Sequence, residues 1–417
     1  MKKITFLLIT LLPLQGFTQF TSTAINNLAL MTYTSENDPM ILAGSYYLAS
    51  SNSLTNKLYL TYATSNFISE EIKDGPAKRL KEVNRFGGLR EDYAWYIWSG
   101  KKYEKGLFYT VGLKNNVHYS ASFPKDAYLL PLYGNSRFAG QTAEISPVQF
   151  NKYYFQSLQF GIVKHFGGEE VKPNRMGLNI SLIRGYQYID MSLKDASLYT
   201  SEMGDSLHYQ ANLDYYENNL KQPFSTTGGM GLALNGFYVM QKSKYTCYFT
   251  FDNIGFVAWR ESKSKTALFD TTGSFTGFDL TKDTSYNIAN PATAYRRFVD
   301  DHSGRSGRYS PLPVRLSAGI RRPVKFGTLT LLVEQVLFAQ SLPRFRANLS
   351  ISANESGDIW IQPGVNFLGY GTAGLELGFY FNLGKFNLGI GTEHLEAFFL
   401  PARTTSQNLA FRLIFRP

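Results

Sequence analysis

Apolar and polar residues alternate along the last part of this chain. Residues 344–352 read RFRANLSIS, with Phe345 on the apolar face and Arg346 on the polar face. Residues 375–383 and 408–416 repeat the pattern. A period of two indicates β-strands with two unlike faces. Many such strands predict an antiparallel sheet that closes into a barrel, with its apolar face outward.

Weaker alternation elsewhere extends this prediction to the whole chain. The fold class is all-β: a transmembrane, antiparallel, up-and-down β-barrel of about 14 strands (12–16), with long loops. Leu349, Phe379 and Leu413 are expected on the lipid face. The candidate strands, some of which merge if their gaps are short, are 41–50, 56–64, 92–100, 106–113, 116–122, 153–166, 176–189, 229–241, 244–258, 313–322, 328–338, 344–353, 358–368, 374–384, 386–391 and 406–416.

Three segments are too long for turns and are predicted as loops, at 65–91, 190–228 and 260–312. The first has the spacing of a short amphipathic helix whose buried side is formed by Ile72, Leu80 and Val83. Long loops in a compact protein are usually lids, plugs or docking surfaces.

The N-terminus has the features of an export signal. Lys2 and Lys3 precede an apolar stretch at 4–14 that is too short to span a bilayer as a helix. Small residues before Gln19 predict cleavage there, so residues 1–18 form a signal peptide and residues 19–417 a single barrel domain. An exported barrel belongs in the outer membrane. Outer-membrane lipid and the barrel-assembly machinery are its expected partners.

Composition agrees with a barrel. The chain has 28 Tyr and 32 Phe, and barrels use aromatic girdles at both membrane interfaces. The net charge is +10, but the basic residues are spread along strands and loops without a basic helix or stacking motif. We therefore expect no nucleic-acid partner. A basic lumen or contact with anionic lipid explains the charge more simply.

The sequence offers little for catalysis or metal binding. The five histidines are widely separated, and neither a Gly-x-Ser-x-Gly elbow nor a phosphate loop occurs. Glu393, His394 and Glu396 suggest a weak cation site, although a surface turn is the favoured interpretation. We predict no catalytic residues, no metal and no cofactor.

Charged residues on the inward faces of the C-terminal strands are the candidate site. The favoured interpretation is a structural network of paired charges, and the alternative is a basic constriction that selects anionic solutes. Two glutamates are too few to neutralise five arginines, so an excess positive field is expected in the lumen. These lumen candidates are Arg315, Arg321, Glu334, Arg344, Arg346, Glu376 and Arg412.

Four motifs carry a family resemblance. They are FPKDAYLLPLYGNSRFAG at 123–140, DNIGFVAW at 252–259, GSFTGFD at 273–279 and KFNLGIGTEHLEAFFLP at 385–401. Their order resembles an uncharacterised family of Bacteroidetes outer-membrane barrels, itself related to the long-chain fatty-acid transporter superfamily and to the type IX secretion shuttle barrel. The resemblance implies location and architecture rather than mechanism. Residues 20–60 depart from the Asn-Pro-Ala opening of that family, so no N-terminal plug is carried over.

Three functions remain open. The leading hypothesis is a passive or ligand-gated channel or transporter for a small amphiphilic or anionic solute. The second is a barrel that serves as an anchor or docking subunit for a secretion-system protein or for surface attachment. An outer-membrane enzyme ranks third. A continuous lumen would favour the first hypothesis, and a lumen blocked by packed side chains under large ordered loops would favour the second.

Overall fold

The computed structural model describes residues 24–30, 39–64, 66–99, 106–166, 174–219, 227–275 and 303–417. The predicted signal peptide and the middle of the predicted loop 260–312 lie outside these ranges. The strands are β1 (Met40–Ser51), β2 (Asn84–Ser99), β3 (Leu107–Phe123), β4 (Gln141–Glu144), β5 (Val148–Phe166), β6 (Asn174–Thr200), β7 (Leu207–Asn219), β8 (Gly229–Gln241), β9 (Thr246–Trp259), β10 (Ser264–Phe275), β11 (Ser303–Gly304), β12 (Arg308–Pro311), β13 (Val314–Val324), β14 (Gly327–Leu337), β15 (Arg344–Ser352), β16 (Ile359–Leu368), β17 (Ala373–Leu383), β18 (Phe386–Thr392) and β19 (Ser406–Phe415). The helices are α1 (Ala24–Leu30), α2 (Asn56–Ala63), α3 (Glu70–Ala77), α4 (Lys125–Tyr133) and α5 (Glu396–Phe399), with 3₁₀ turns at Asn135–Phe138 and Glu261–Lys263.

Strand β1 closes the sheet on itself, because it pairs with β2 on one side and with β19 on the other. The result is a closed antiparallel barrel of 14 strands, which confirms the predicted fold class and strand number. Around the wall the strands follow the order β1, β2, β3, β5, β6, β8, β9, β13, β14, β15, β16, β17, β18 and β19.

The remaining strands extend the wall at one end. The second half of β6 continues past the barrel and pairs with β4 and β7, and β7 pairs with β10. The prediction of a loop at 190–228 was therefore wrong for most of that segment. In β7, Leu207, Tyr209, Ala211 and Leu213 do alternate with polar residues, so a strand signal was present there and was missed. In β6 the register shift between Leu193 and Asp195 interrupts the period of two.

Two further boundaries differ from the sequence prediction. Residues 56–64 were predicted as a strand, but they form α2, whose N-cap Thr55 accepts a hydrogen bond from the backbone N–H of Leu58. The aromatic and β-branched residues of that segment favour a strand, whereas the N-cap hydrogen bond at Thr55 stabilises a helix. β2 starts inside the segment predicted as a loop at 65–91, where a helix, α3, is nevertheless present. Ile72 packs on the buried side of α3 as predicted, whereas Leu80 and Val83 lie beyond the end of the helix; Leu80 is partly buried and Val83 is exposed.

Burial alternates along the wall strands and separates an outward from an inward face. On β15, β16 and β17 the outward residues are all apolar. Leu349, Phe379 and Leu413 lie on this outward face, as predicted, while their neighbours Ser350, Tyr380 and Arg412 are buried. Among the described residues no helix is long and apolar enough to cross a membrane.

The two ends of the barrel differ. One end carries turns of a few residues, such as 242–245, 325–326 and 384–385, and we call it the short-turn end. The other, the long-loop end, carries α2, α3, α4 and the hairpin between β6 and β7. Helix α1 lies inside the barrel near the short-turn end, against β8 and β9.

Candidate functional site in the barrel lumen

Ionisable side chains from several wall strands converge at mid-height of the lumen. Alternation places them there, because each occupies an inward position of its strand. At Asn253, with φ 62°, β9 bulges and its pairing with β8 changes register. Asn tolerates this positive φ better than most residues, and a bulge adds one unpaired residue to the strand. Its effect is to hold Asp252 and Asn253 together, buried in the lumen.

Glu91, Lys114, Asp252 and Arg315 form what we call the crossing cluster. The ammonium of Lys114 donates to both carboxylate oxygens of Asp252 at 2.8 Å and to Asn253 Oδ1 at 3.1 Å. Arg315 Nη1 lies 3.5 Å from Glu91 Oε2 and 3.9 Å from the nearer Asp252 oxygen. Their strands β3 and β9, and β2 and β13, are not neighbours in the wall, so these pairs span the lumen.

A second group, the wall cluster, joins Tyr46, Arg344, Arg346, Glu376 and Glu393. Arg346 makes a bidentate pair with Glu376, with contacts of 2.7 and 2.9 Å, and its Nη1 lies 2.9 Å from Glu393 Oε1. Arg344 Nη2 lies 2.6 Å from Glu393 Oε2, which also accepts a hydrogen bond of 2.7 Å from the Tyr46 hydroxyl. Planar, bidentate arginine pairs of this kind combine strength with fixed geometry.

The expected excess of positive charge at this level was wrong. Three carboxylates that the sequence analysis did not assign to the lumen, Glu91, Asp252 and Glu393, pair with Lys114, Arg315, Arg344 and Arg346 as described above. A buried charge without a partner is costly, so the fold supplies a counter-charge to each of these cations.

The other lumen candidates fall into two groups. Glu334 is buried near the crossing cluster, and Ser317 Oγ donates to it at 3.5 Å. Arg321 and Arg412 lie nearer the short-turn end. Arg321 faces Thr246 and Thr330 in the register, and the guanidinium of Arg412 lies 5.2 Å from the centre of the Tyr380 ring. The structure therefore brings Arg315, Glu334, Arg344, Arg346 and Glu376 together and places Arg321 and Arg412 apart from them.

A small cavity of about 40 Å³ lies above these charges, toward the long-loop end. Arg315, Glu334 and Arg344 line its floor, and His118 and Tyr370 line its side. The Tyr370 hydroxyl lies 3.1 Å from His118 Nε2. A site of this size holds a water molecule or a small polar group rather than a large ligand.

His394 was expected in a surface turn, and this expectation was wrong. The side chain is buried, and its Nδ1 lies 3.0 Å from Glu396 Oε1. Burial alone would raise the pKa of Glu396, but hydrogen bonds from His394 and from the backbone N–H of Leu375 lower it below its ordinary value. The Glu393–Glu396 segment is thus part of the lumen lining: Glu393 joins the wall cluster and His394 packs beside it.

Helix α1 fills the lumen below the charged level, and we call it the plug helix. Leu28, Ala29 and Leu30 are buried in an apolar cluster with inward residues of the wall, among them Phe237 and Tyr248. Thr250 Oγ1 donates to Asn26 Oδ1 at 2.7 Å. The sequence analysis assigned no element to these residues. A seven-residue apolar helix is too short to show a helical period clearly.

Several solved structures are similar to this chain at low sequence identity. The TodX deltaS2S3 mutant, a monoaromatic hydrocarbon channel, is 7% identical over 93% of this chain and 92% of that chain, with a TM-score of 0.42. A FadL homologue from Pseudomonas aeruginosa is 9% identical over 96% and 95%, with a TM-score of 0.42. The translocator domain of autotransporter NalP from Neisseria meningitidis is 8% identical over 94% and 92%, with a TM-score of 0.32.

No curated protein matches the sequence. A family model does match, and it confirms the prediction that the chain is a member of an uncharacterised family. The matched region runs from residue 37 to residue 393 and so includes the crossing cluster and the wall cluster. The protein belongs to the family of unknown function DUF5723.

Proposed function

We propose that this protein is an outer-membrane barrel that acts as a gated channel or transporter for a small amphiphilic or anionic solute. A lumen filled by side chains meets the criterion given above for a docking barrel. The observation that carries the channel proposal is that one level of this filling is a separate helix and not part of the wall, while paired charges from opposite walls fill the next level. An open pore would leave inward side chains in contact with water. Here Glu91, Ile97 and Val163 are fully buried.

The membrane placement rests on the outward face. A closed barrel satisfies every backbone group of its wall strands internally, as a bilayer requires. The outward residues of β15–β17 are apolar and match a lipid face. Barrels of this kind place short turns in the periplasm and long loops outside, so the long-loop end would face the cell exterior.

The width of the barrel favours a lumen that opens. Eight strands already enclose a space that side chains alone can fill, whereas the 14 strands of this barrel enclose more. The extra volume is taken up here by the plug helix, a segment that precedes the wall and is not one of its strands. Moving this helix would vacate the lower lumen without unfolding the sheet.

The lining suggests the solute class. A solute travelling along the axis would meet the charged level and then the apolar level around the plug helix. A molecule with an anionic head and an apolar body could exchange partners with Arg315 or Arg344 and then contact the apolar residues below. This chemistry supports an amphiphilic anion over a simple inorganic ion.

Planar-bilayer recordings of the refolded full chain test the proposal. We expect the wild type to be mostly closed and to open more often with decanoate than with decylammonium or glucose. Asp252→Asn, which weakens the contact with Lys114, should increase openings several-fold, whereas Asp358→Asn, in a turn at the short-turn end, should leave them unchanged. If no solute opens either protein, the channel proposal is wrong.

The membrane placement has its own test. Phe379→Arg should cost about 2–4 kcal/mol of folding free energy in lipid vesicles, because it puts a charge on the lipid face. Leu268→Arg, at an exposed position of β10 in the wall extension, should cost little. Equal costs would show that the outward face of β17 does not meet lipid.

One observation favours a docking role as the second candidate. The long-loop end carries an ordered cover, in which α2, α3 and α4 pack around Leu58, Tyr128 and Phe138. Beside it, β4, β7 and the outer half of β6 extend the sheet. A filled lumen under such a cover also suits an anchor for a secretion-system protein. Absence of conductance together with capture of a partner that is lost on replacing residues 201–206 by Gly-Ser would support this role.

A further inference from the structure

Apolar side chains are exposed on the rim of the long-loop end, where β18 leads into β19. Helix α5 and the turn after it present Phe398, Phe399 and Leu400, which are 61, 74 and 48% exposed. Close by, α2 presents Leu60 and Tyr62, which are 45 and 76% exposed. We call these five residues the rim patch. An exposed apolar patch of this kind marks a surface that meets a membrane or another protein.

Hydrogen bonds join the two parts of the rim patch. In the first turn of α2, the backbone N–H of Lys57 donates to the carbonyl of Pro401 at 3.0 Å, and that of Asn56 donates to the carbonyl of Thr404 at 2.8 Å. The side chain of Asn56 also donates to Thr404 Oγ1 at 2.9 Å. Helix α2 and the segment 396–404 therefore form one unit of the rim.

Helix α5 lies in the wall itself, beyond the end of β18. The backbone N–H of Leu395 donates to the carbonyl of Leu375 on β17 at 2.9 Å, and the N–H of Leu375 donates to Glu396 Oε2 at 3.0 Å. These contacts extend the pairing along β17 past Thr392, where β18 ends. Helix α5 therefore occupies the rim of the wall and does not cross the lumen.

Helix α2 lies against the outside of the wall. The Tyr47 hydroxyl donates to that of Tyr59 at 3.2 Å, and the ring centres of Tyr59 and Phe86 are 5.8 Å apart. Tyr47 is an outward residue of β1, since its neighbour Tyr46 joins the wall cluster in the lumen. The exposed side chains of α2 therefore belong to the outer surface of the barrel.

The rim patch continues the apolar outward face of the wall. Leu375 on β17 and Leu409 on β19 point outward just below the rim and are 53 and 51% exposed. The strands that carry them present the apolar face that we assigned to lipid. Apolar surface thus runs without a change of side from the middle of the wall to α5.

We propose that the rim patch is a membrane anchor, which inserts at the boundary between lipid head groups and acyl chains in the leaflet at the long-loop end. The proposal rests on the membrane placement proposed above. It is independent of whether the lumen conducts. Aromatic and leucine side chains on short helices suit this depth, because they bury apolar area while the polar side of the helix stays hydrated.

The position of the patch favours lipid over a protein partner. Because α5 lies in the plane of the wall, it shares the surroundings of Leu375 and Leu409, and a protein seated on it would have to displace lipid from both. The exposed side chain of Arg403 follows the patch directly. A cation beside apolar residues is typical of interfacial segments, where it can reach lipid phosphates.

Fluorescence quenching at two depths tests the proposal. A bimane label is attached to Phe399→Cys in a Cys247→Ser background, and the full chain is refolded into phosphatidylcholine vesicles. The vesicles contain lipid with a nitroxide either near the head group or near the end of the acyl chain, and iodide in the buffer reports exposure to water. We expect the shallow nitroxide to quench about threefold more strongly than the deep one, since interfacial segments lie about 5–10 Å into the boundary.

Three further label positions calibrate the result. Tyr62→Cys, in the other part of the rim patch, should behave like Phe399→Cys. Phe379→Cys, in the middle of the wall, should be quenched more by the deep nitroxide. Met203→Cys, at the tip of the β6–β7 hairpin and 91% exposed, should be quenched by iodide only. Each variant is first confirmed to insert by its heat-dependent mobility on gels.

A matched pair of variants tests whether the two parts of the patch act together. Phe398→Ser combined with Leu400→Ser should reduce shallow quenching of the label at Tyr62→Cys about twofold, because the lost apolar area no longer holds the rim in the membrane. Leu268→Ser, at an exposed position of β10, should leave it unchanged. Equal quenching in all three backgrounds would contradict a joint anchor.

Two results at Phe399→Cys would overturn the proposal while the membrane placement stands. The first is quenching by iodide as strong as at Met203→Cys, which would place the patch in water. The second is protection from iodide without quenching by either nitroxide, which would assign the patch to a protein contact such as a second copy of the chain. Absence of nitroxide quenching at Phe379→Cys would instead reject the membrane placement itself.

Discussion

The lumen is filled at two levels by different interactions, apolar packing at one level and buried ion pairs at the other. At the short-turn end the plug helix packs apolar side chains against β8 and β9, and its Asn26 accepts a hydrogen bond from the Thr250 hydroxyl. At mid-height the crossing cluster joins opposite walls by buried ion pairs. The first level is made by a separable segment, and the second by the wall itself.

This difference teaches how each level can open. In the proposed channel the plug helix would leave as a unit, at a cost set by the apolar area it exposes. Ion pairs of the crossing cluster cannot simply separate, because each buried charge would be left without a partner. In the proposed channel they would instead exchange partners with a charged solute. We therefore infer that the plug helix sets whether the lumen is open and that the crossing cluster selects what passes.

The largest expected effect is at the crossing cluster. Lys114→Met should lower the free energy of unfolding by about 3–5 kcal/mol, because Asp252 would lose its closest cation and Arg315 alone would remain to balance two buried carboxylates, Asp252 and Glu91. Urea titration of the protein in lipid vesicles measures this. The double variant Lys114→Met with Asp252→Leu should recover most of the loss, and failure of the double variant to recover would contradict the pairing described here.

An intermediate loss of stability is expected at the plug helix, and it should affect the packing of the helix more than the unfolding of the barrel. Leu28→Ala should weaken the packing of the helix by about 2–4 kcal/mol, as for other buried leucines, but should change the unfolding of the barrel by less than about 1 kcal/mol. The measurement is labelling of Val239→Cys by a water-soluble thiol reagent in a Cys247→Ser background. Labelling should accelerate at least tenfold. A large loss of barrel stability without faster labelling would show that the helix and the barrel unfold together, and would contradict the claim that the helix separates on its own.

The smallest loss of stability is expected at the hydrogen bond between Thr250 of the wall and Asn26 of the plug helix. Thr250→Val removes the donor to Asn26 and should weaken plug docking by about 1 kcal/mol, which corresponds to roughly fivefold more frequent opening. Thr110→Val is the matched control, since Thr110 Oγ1 makes a 2.7 Å hydrogen bond to Asn179 within the wall. Single-channel recordings should show more openings only in Thr250→Val.

The wall could be predicted from the sequence, and the lumen contacts could not. Strands such as β15 and β17 alternate strictly, so their outward and inward residues follow from order along the chain. Alternation does not say which inward residues meet. Lys114 and Asp252 are separated by 138 positions, and their contact depends on the closure of the sheet. Glu91 lies in a segment that was predicted as a loop and Glu393 in a predicted surface turn, so neither was assigned to the lumen.

Helix α2 and the wall extension show a second limit. Residues 59–62 read YLTY, a composition typical of strands, yet the cap at Thr55 and packing beneath the loops select a helix. The long hairpin of β6 and β7 was predicted as a loop although Leu207, Tyr209, Ala211 and Leu213 of β7 alternate with polar residues. The bulge between Leu193 and Asp195 interrupts the alternation of β6, and hydrophobic periodicity is weakest for such interrupted strands.

A reversible cross-link between the plug helix and the wall tests the central claim most directly. Asn26→Cys and Thr250→Cys are combined in a Cys247→Ser background, since Asn26 Oδ1 and Thr250 Oγ1 lie 2.7 Å apart. Solute-induced conductance is then recorded before and after reduction in the same bilayer. We predict that the oxidised protein stays closed and that reduction restores opening. Equal conductance in the oxidised and reduced states would contradict the account, because the lumen would then open without movement of the plug helix.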